Sequence, residues 1–363
     1  MQNPADRWSG LETKGTGWWT QMRAGYIETP LTAMFRDDMP EPQITRGDEV
    51  KIRVVVTGIC GSEVHAYHGK HAWRVPPLVS GHEFAGVITQ VGEDVKGYKV
   101  GDRVTAEPQY GCGECEMCRA GRYNLCPDKK ILGATYWSGS FGEYVVVPEQ
   151  CVIPLADNVS FEQGALIEPI AVGMHAVKTH KIGKNSTVAV IGCGTIGLGV
   201  ILSAKCFDPK LVIGIDVADF NLEKAKEMGA DVVLNPTRDG VMEEVARLTG
   251  GQGVDVTFLA FGNASSMKQA TEITKRGGNL SLIAVMENGV PAPVGDIQVK
   301  ELNLCGSSMY TAEDFEDVIH YIGTGNIGLD GFVTQRFPIE QMPEAIEFAD
   351  KRPEPVVKVI LEF

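Results

Sequence analysis

The chain has no long apolar run, no excess of basic charge and no N-terminal segment of the secretory type. None of its apolar stretches approaches the roughly 20 residues of a membrane-spanning helix, so no membrane association is expected. Its 33 Lys and Arg residues stand against 47 Asp and Glu, and the net charge of −14 excludes the basic surface typical of nucleic-acid binders. No apolar core follows a basic start at the N-terminus, which predicts a cytoplasmic protein rather than a secreted one.

The nine cysteines are distributed in a way that favours metal binding over disulfides. A group of four lies in one loop with the spacing C-x2-C-x2-C-x7-C, namely Cys112, Cys115, Cys118 and Cys126. Thiolates this close together can occupy the corners of a tetrahedron, which is the geometry of a closed structural Zn²⁺ site. The others stand singly in apolar contexts, as the thiols of a protein in a reducing compartment do.

A second group of soft ligands precedes this loop. Cys60 comes just after a predicted strand, and His82 and Glu83 follow a Pro-rich turn. A catalytic zinc ion needs about three protein ligands and one open position, so Cys60 and His82 are predicted as a ligand pair. Either Glu83 or Glu168 then completes the site, directly or through water, and the residues alone leave this choice open. A closed and an open metal site in one chain predict a zinc enzyme rather than a binding module stabilised by a structural zinc ion.

The sequence has two different patterns along its length, which predict an α/β protein with two domains. From residue 22 to about 152, short alternating or apolar runs separated by Gly, Pro and Asp predict an irregular antiparallel β-barrel. From about residue 162, short apolar strands alternate with helices, which predicts a doubly wound parallel sheet covered on both faces. The expected parts are an N-terminal extension over 1–21, a first domain over 22–167 and 308–363 with a metal lobe at about 108–130, and a dinucleotide-binding domain over 168–307.

The motif G-x-G-x-x-G occupies residues 192–197, directly after an apolar strand and at the start of a helix. Gly192 permits a tight turn, Gly194 lets the backbone approach a pyrophosphate, and Gly197 lets the helix pack close to the sheet. Asp216 ends the next strand, where a carboxylate binds ribose hydroxyls and repels a 2′-phosphate, so NAD is predicted over NADP. The other residues assigned to the cofactor are Thr195, Ile196, Ala284, Val285 and Met286.

From about Met22 to the C-terminus, the chain resembles the zinc-containing medium-chain alcohol dehydrogenases. Residues 58–65, Gly-Ile-Cys-Gly-Ser-Glu-Val-His, and residues 81–86, Gly-His-Glu-Phe-Ala-Gly, match the family's segments around the catalytic zinc ligands. The four-cysteine loop matches its structural zinc lobe, and residues 168–171, Glu-Pro-Ile-Ala, are similar to its polyol- and threonine-dehydrogenase branch. The resemblance implies a GroES-like catalytic domain, a Rossmann domain, two zinc ions per subunit and a homodimer or homotetramer.

The resemblance also implies roles for individual residues. Cys60 and His82 would bind the catalytic zinc, Ser62 would take the substrate proton, and His65 would pass that proton outward. Glu63 stands where the family usually has Asp and would orient the zinc-bound histidine. The residues expected to contact the substrate are Glu168 and Tyr310.

The implied activity is zinc-dependent oxidation of a secondary alcohol in a polyol, sugar or cyclitol-like substrate, with hydride transfer to NAD. Two departures from sorbitol-type enzymes, Ala66 in place of Tyr and Met309 in place of Arg, leave the particular substrate open. A threonine- or butanediol-type dehydrogenase on the same scaffold is the alternative. A non-catalytic zinc- or nucleotide-binding member is a remoter one, because the chain retains both predicted ligands and both proton-transfer residues.

Overall fold

The computed structural model describes residues 20–286 and 289–363. The chain folds into two compact units, one formed by Met1–Glu168 with Val333–Phe363 and the other by Pro169–Phe332. Of the predicted extension over residues 1–21, all but the last two residues lie outside the described ones. Within the described residues, no helix combines the length and the apolar character that crossing a membrane requires.

The N-terminal part of the first unit consists of short strands joined by loops, as its Gly, Pro and Asp punctuation predicts. Its strands are β1 (Gln21–Thr29), β2 (Thr32–Pro40), β3 (Glu49–Ile59), β4 (Glu83–Val91), β5 (Arg103–Ala106), β6 (Gln109–Tyr110), β7 (Lys130–Ile131), β8 (Tyr144–Pro148) and β9 (Val152–Pro154). The helices that begin in this part are α1 (Gly61–Tyr67), α2 (Glu116–Arg119) and α3 (Phe161–Lys178).

The second unit alternates strands and helices along the chain. Its strands are β10 (Thr187–Ile191), β11 (Leu211–Ile215), β12 (Val232–Leu234), β13 (Val254–Leu259), β14 (Thr274–Leu282) and β15 (Asn303–Gly306). Its helices are α4 (Thr195–Lys205), α5 (Asp219–Glu227), α6 (Val241–Leu248), α7 (Ala264–Ile273), α8 (Val294–Val299) and α9 (Ala312–Gly323).

The strands of the second unit form one parallel sheet with the order β12-β11-β10-β13-β14-β15. Strand β10 is apolar after its first residue and buried along its whole length, as expected for a strand with both faces covered. From β10 the chain builds outward first to one side and then to the other, which makes β10 the switch point of a Rossmann sheet. The predicted doubly wound parallel sheet is confirmed.

After the second unit the chain returns to the first with β16 (Val333–Pro338), α10 (Met342–Lys351) and β17 (Lys358–Glu362). Strand β17 pairs parallel with β16 and antiparallel with β3. The main sheet therefore has the order β16-β17-β3-β4-β5-β9, with β8 also paired to β3. Its core includes Val50 and Ile52 of β3, which are fully buried in one cluster with Ile88 of β4 and Val104 of β5.

One predicted boundary needs correction, because residues 308–332 belong to the second unit and not to the first. Helix α9 is tied to α3 by a 2.8 Å hydrogen bond between His175 Nδ1 and Asp314 Oδ2. Lys178 Nζ of α3 also lies 2.6 Å from Asp317 Oδ2. These contacts join helices that are far apart in the sequence, and a local pattern does not reveal them.

Candidate metal centres and dinucleotide site

Two strand ends bring the candidate catalytic ligands together. Cys60 follows β3 and precedes α1, with the extended backbone (φ −93°, ψ 159°) of a residue that caps a helix. His82 directly precedes β4, which runs antiparallel to β3 with Glu83 opposite Gly58. The end of one strand therefore lies beside the start of the next, and both ligand candidates lie at this edge.

A single buried carboxylate connects Cys60 and His82. Glu63 Oε1 accepts hydrogen bonds from His82 Nδ1 and from Ser80 Oγ, each at 3.0 Å, and Oε2 accepts one from the Cys60 backbone N–H at 3.1 Å. Burial alone would raise the pKa of the Glu63 carboxyl, but His82 and then the Arg74 guanidinium hold it well below its usual range. In the neutral imidazole, donation through Nδ1 leaves the lone pair that a metal needs on Nε2.

The Nε2 side of His82 faces further donor groups. Glu168 Oε1 lies 3.8 Å from Nε2, and both side chains are buried. The donor atoms of Cys60, Glu63 and His82 lie within 4.8 Å of one another, and the same holds for those of His82, Glu83 and Glu168. A thiolate, an imidazole and a carboxylate are the donor types of catalytic zinc sites, so this set of residues fits a zinc ion.

Glu83 is occupied by an ion pair that the sequence did not predict. Lys358 Nζ donates to both Glu83 oxygens, at 2.8 and 2.7 Å, and both side chains are at most 2% exposed. Burial alone would lower the pKa of Lys358, but the Glu83 charge raises it, so the ammonium stays charged. A Cβ on Gly58 would overlap the Glu83 carboxylate, so this glycine makes room for the pair. The one signal in the sequence is a lysine that directly precedes the apolar residues 359–361 of the final strand.

The predicted proton-transfer residues lie on helix α1, beside the buried carboxylate. Ser62 Oγ is 3.4 Å from Glu63 Oε2, and His65 is exposed. Tyr310, predicted to contact the substrate, belongs to the second unit. It is 1% exposed and its ring packs edge-on against Phe315 in the second unit, with 4.9 Å between ring centroids. The ring is therefore buried within the second unit, and the contact of Tyr310 with substrate stays a prediction.

The four-cysteine loop folds into a compact cluster of sulfur atoms. All four Sγ atoms lie within 4.8 Å of one another, and those of Cys112 and Cys118 are 3.9 Å apart. A tetrahedron with Zn–S bonds of about 2.3 Å has S–S edges of about 3.8 Å, so the cluster fits zinc. The backbone N–H groups of Glu114 and Cys115 lower the pKa of the Cys112 thiol to about 7, whereas burial raises the pKa of the Cys118 thiol to about 12.

The glycine motif follows β10 and begins α4 at the switch point of the sheet. Gly192 has a φ of +89°, which a side chain would strain, and its N–H donates to Ile215 O at 2.8 Å. A Cβ on Gly197 would overlap the Gly192 carbonyl oxygen. A Cβ on Gly194 would meet no atom within 4 Å, so packing within the described chain does not require glycine there. Close approach of a pyrophosphate does require it, and the loop therefore fits a dinucleotide.

Asp216 follows β11 and lies next to the glycine motif. Its carboxylate accepts hydrogen bonds from the N–H groups of Cys193 at 2.7 Å and Ala218 at 2.8 Å, and from Asn221 Nδ2 at 3.2 Å. The other predicted cofactor residues also lie at the carboxyl edge of the sheet. Thr195 and Ile196 begin α4, while Ala284, Val285 and Met286 follow β14, with Val285 93% exposed.

Comparison with known proteins gives the class to which this fold and these sites belong. Residues 46–157 match the alcohol dehydrogenase GroES-like domain, and residues 195–323 match the zinc-binding dehydrogenase family. Sorbitol dehydrogenase of Bacillus subtilis is 37% identical over 317 residues, covering 86% of this chain and 89% of that protein. L-idonate 5-dehydrogenase of Vitis vinifera is 35% identical over 308 residues, covering 82% of this chain and 84% of the other.

Solved structures are also similar. A short chain alcohol dehydrogenase from E. coli CFT073, complexed with NADH, matches with a TM-score of 0.87 and 31% identity over 94% of this chain and 99% of the other. A protein described as a zinc-binding dehydrogenase from Sinorhizobium meliloti 1021, bound to NADP, matches with a TM-score of 0.87 and 30% identity, covering 95% of this chain and 100% of the other.

The chain therefore belongs to the zinc-binding alcohol dehydrogenase family, with a GroES-like domain and a Rossmann-type domain. It is a dehydrogenase that acts on CH–OH groups. The predicted family, fold class and enzyme class are confirmed, as are the zinc-binding character and the use of a nicotinamide cofactor.

Proposed function

We propose that this protein oxidises a secondary alcohol of a polyol, sugar or cyclitol-like substrate to a ketone. The observation that carries the proposal is the buried His82 imidazole, oriented by Glu63 on one side and facing Glu168 on the other. A carboxylate beside the metal provides an acceptor for the additional hydroxyl groups of a polyol. Relatives named sorbitol dehydrogenase and L-idonate 5-dehydrogenase support the same substrate class.

For the catalytic zinc, we propose Cys60, His82 and Glu168 as the ligands. Glu168 is the better candidate for the third ligand, because the Glu83 carboxylate already pairs with Lys358 through both oxygens. When bound, zinc would supply Lewis acidity to the alcohol oxygen, and the nicotinamide would accept the hydride. Glu63 keeps the imidazole in the tautomer that binds metal through Nε2.

Two residues of α1 would move the proton that the alcohol releases. Ser62 lies next to the buried Glu63, where its hydroxyl can accept a proton and pass it on. His65 is exposed on the same helix, a position that suits a residue that delivers the proton to solvent.

The substrate class is tested with a panel of sorbitol, xylitol, L-idonate, 2,3-butanediol and threonine, with NAD in excess. We expect the highest kcat/KM with a polyol or sugar acid. A preference for threonine or butanediol would establish the alternative dehydrogenase. Absence of turnover with every compound, by protein loaded with zinc, would favour the non-catalytic alternative and overturn the proposal.

A second, structural zinc is proposed at Cys112, Cys115, Cys118 and Cys126. The purified protein should contain about two zinc ions per subunit by elemental analysis. Cys118→Ser should reduce this to about one and lower the thermal midpoint, because a closed zinc site contributes directly to folding. Cys206→Ser, a thiol outside both sites, should keep both ions. Retention of two zinc ions by the Cys118→Ser variant would contradict the assignment.

NAD is proposed as the cofactor in preference to NADP. The Asp216 carboxylate, at the end of β11, would accept hydrogen bonds from ribose hydroxyls and repel a 2′-phosphate. Asp216→Ser should shift the ratio of kcat/KM for NAD over that for NADP at least about tenfold towards NADP, which corresponds to about 1.4 kcal/mol. Asp219→Ser is the control, since this carboxylate pairs instead with Arg238. A wild-type preference for NADP would contradict the proposal. The homodimer or homotetramer and the cytoplasmic location stay predictions.

A further inference from the structure

We infer that Arg74 is a positioning residue for the catalytic metal, acting through Glu63 on the His82 imidazole. This inference rests on the proposed catalytic zinc site. Arg74 lies on the loop between the two ligand segments, and no motif in the sequence marks it. Its importance follows from its burial, its ion pair and the way the loop is fixed.

The Arg74 guanidinium is placed inside the unit rather than in solvent. Arg74 is 4% exposed, and its Nη2 atom donates to Leu132 O at 3.2 Å. The Nε atom lies 3.1 Å from Glu63 Oε1 but has no hydrogen-bond partner among the described residues. Its link to Glu63 is therefore an ion pair in which charge, more than hydrogen-bond geometry, provides the attraction.

The loop around Arg74 is fixed on both sides of this residue. His71 Nδ1 accepts hydrogen bonds from the backbone N–H groups of Trp73, at 3.2 Å, and Arg74, at 3.1 Å. Burial and then the Arg74 charge lower the pKa of His71 to about 4, so this ring is a neutral acceptor near pH 7. Thr135 Oγ1 accepts the Val75 N–H at 3.0 Å. The guanidinium is thus directed towards Glu63 by a preorganised backbone.

Arg74 shares the oxygen that orients the metal-binding ring. Oε1 of Glu63 accepts hydrogen bonds from His82 Nδ1 and Ser80 Oγ. The same oxygen lies at ion-pair distance from Arg74. Glu63 is completely buried, so the orientation of its carboxylate depends on the protein groups that contact it. Arg74 thereby fixes the orientation of the Glu63 carboxylate, which in turn holds the His82 ring with Nε2 in place for the metal.

The experiment compares Arg74→Met, Arg74→Gln and Arg74→Lys with an exposed control, Arg36→Met. Zinc affinity at the catalytic site is measured by chelator competition, and the visible spectrum is recorded after cobalt(II) replaces the catalytic zinc. Loss of the cation should weaken zinc binding about 10- to 100-fold and alter the cobalt spectrum, as loss of other residues behind metal ligands does. Arg74→Lys should recover most of the affinity, and Arg36→Met should not differ from wild type.

Zinc affinity within about twofold of wild type in Arg74→Met or Arg74→Gln, with an unchanged cobalt spectrum, would overturn the inference. Failure of Arg74→Lys to bind zinc more tightly than Arg74→Gln would also overturn it, because a packing role alone would then suffice. His82→Ala separates this inference from the proposed metal site. If that variant keeps two zinc ions, the site itself is wrong; if it loses one while the Arg74 variants lose no affinity, only the role of Arg74 fails.

Discussion

Cys60→Ser and His82→Ala are each expected to lower kcat/KM for the alcohol at least about 1,000-fold. Each change removes one of the few strong donors around the proposed catalytic zinc. Lewis-acid activation contributes several kcal/mol, and each step of about 1.4 kcal/mol corresponds to a factor of ten in rate. Affinity for the dinucleotide should be unchanged, because the glycine motif belongs to the other unit. Steady-state kinetics with the best polyol and a fluorescence titration with NADH test both parts.

The control for this experiment is Cys206→Ser, a thiol in the second unit that contacts neither metal site. It should retain wild-type turnover, whereas His82→Ala should retain about one zinc per subunit in its four-cysteine lobe. Wild-type activity in either the Cys60 or the His82 variant would show that the chemistry does not depend on this centre. A loss of NADH binding would indicate instead that the substitution disturbs the fold.

Lys358→Met is expected to lower the free energy of unfolding by about 3–5 kcal/mol. The substitution keeps the volume of an unbranched side chain but leaves the Glu83 carboxylate, 1% exposed, without its cation. Urea denaturation followed by tryptophan fluorescence measures the effect, because Trp73 and Trp137 lie in the same unit as the ion pair.

Two further variants make this measurement specific. Lys351→Met removes an ammonium that is 67% exposed, and it should leave the urea midpoint unchanged. Combining Lys358→Met with Glu83→Gln removes both charges and should recover part of the lost stability. If Lys358→Met stays within about 1 kcal/mol of wild type, the buried pair does not stabilise the unit in the way that its geometry indicates.

The parts of this protein that could be predicted from sequence are those whose chemistry is local. The turn at Gly192 and the close packing at Gly197 depend on the strand before the motif and the helix after it, and both are read from a short stretch. The four-cysteine spacing likewise determines which sulfur atoms can meet. For this reason the Rossmann sheet and the two sets of metal donors were predictable before the structure.

The choice between Glu83 and Glu168 could not be made locally. Glu83 is next to a predicted ligand in the sequence, but the role of its carboxylate depends on Lys358, which is 275 positions away. Pairing of β17 with β3 brings Lys358 to this site. Long-range pairing decides what the Glu83 carboxylate does, and no periodicity within a segment carries that information.

The interruption of the first unit by the second has a consequence for biosynthesis. Strand β17 leaves the ribosome only after the whole of the second unit, whereas β3, β4 and Glu83 leave early. Until β17 arrives, the nascent chain leaves the Val56–Ile59 end of one β3 edge unpaired and one carboxylate without its ammonium. Both conditions favour chaperone binding and aggregation. The second unit is one continuous segment of the chain and can fold during synthesis. We therefore expect the metal-binding unit to reach its native state last.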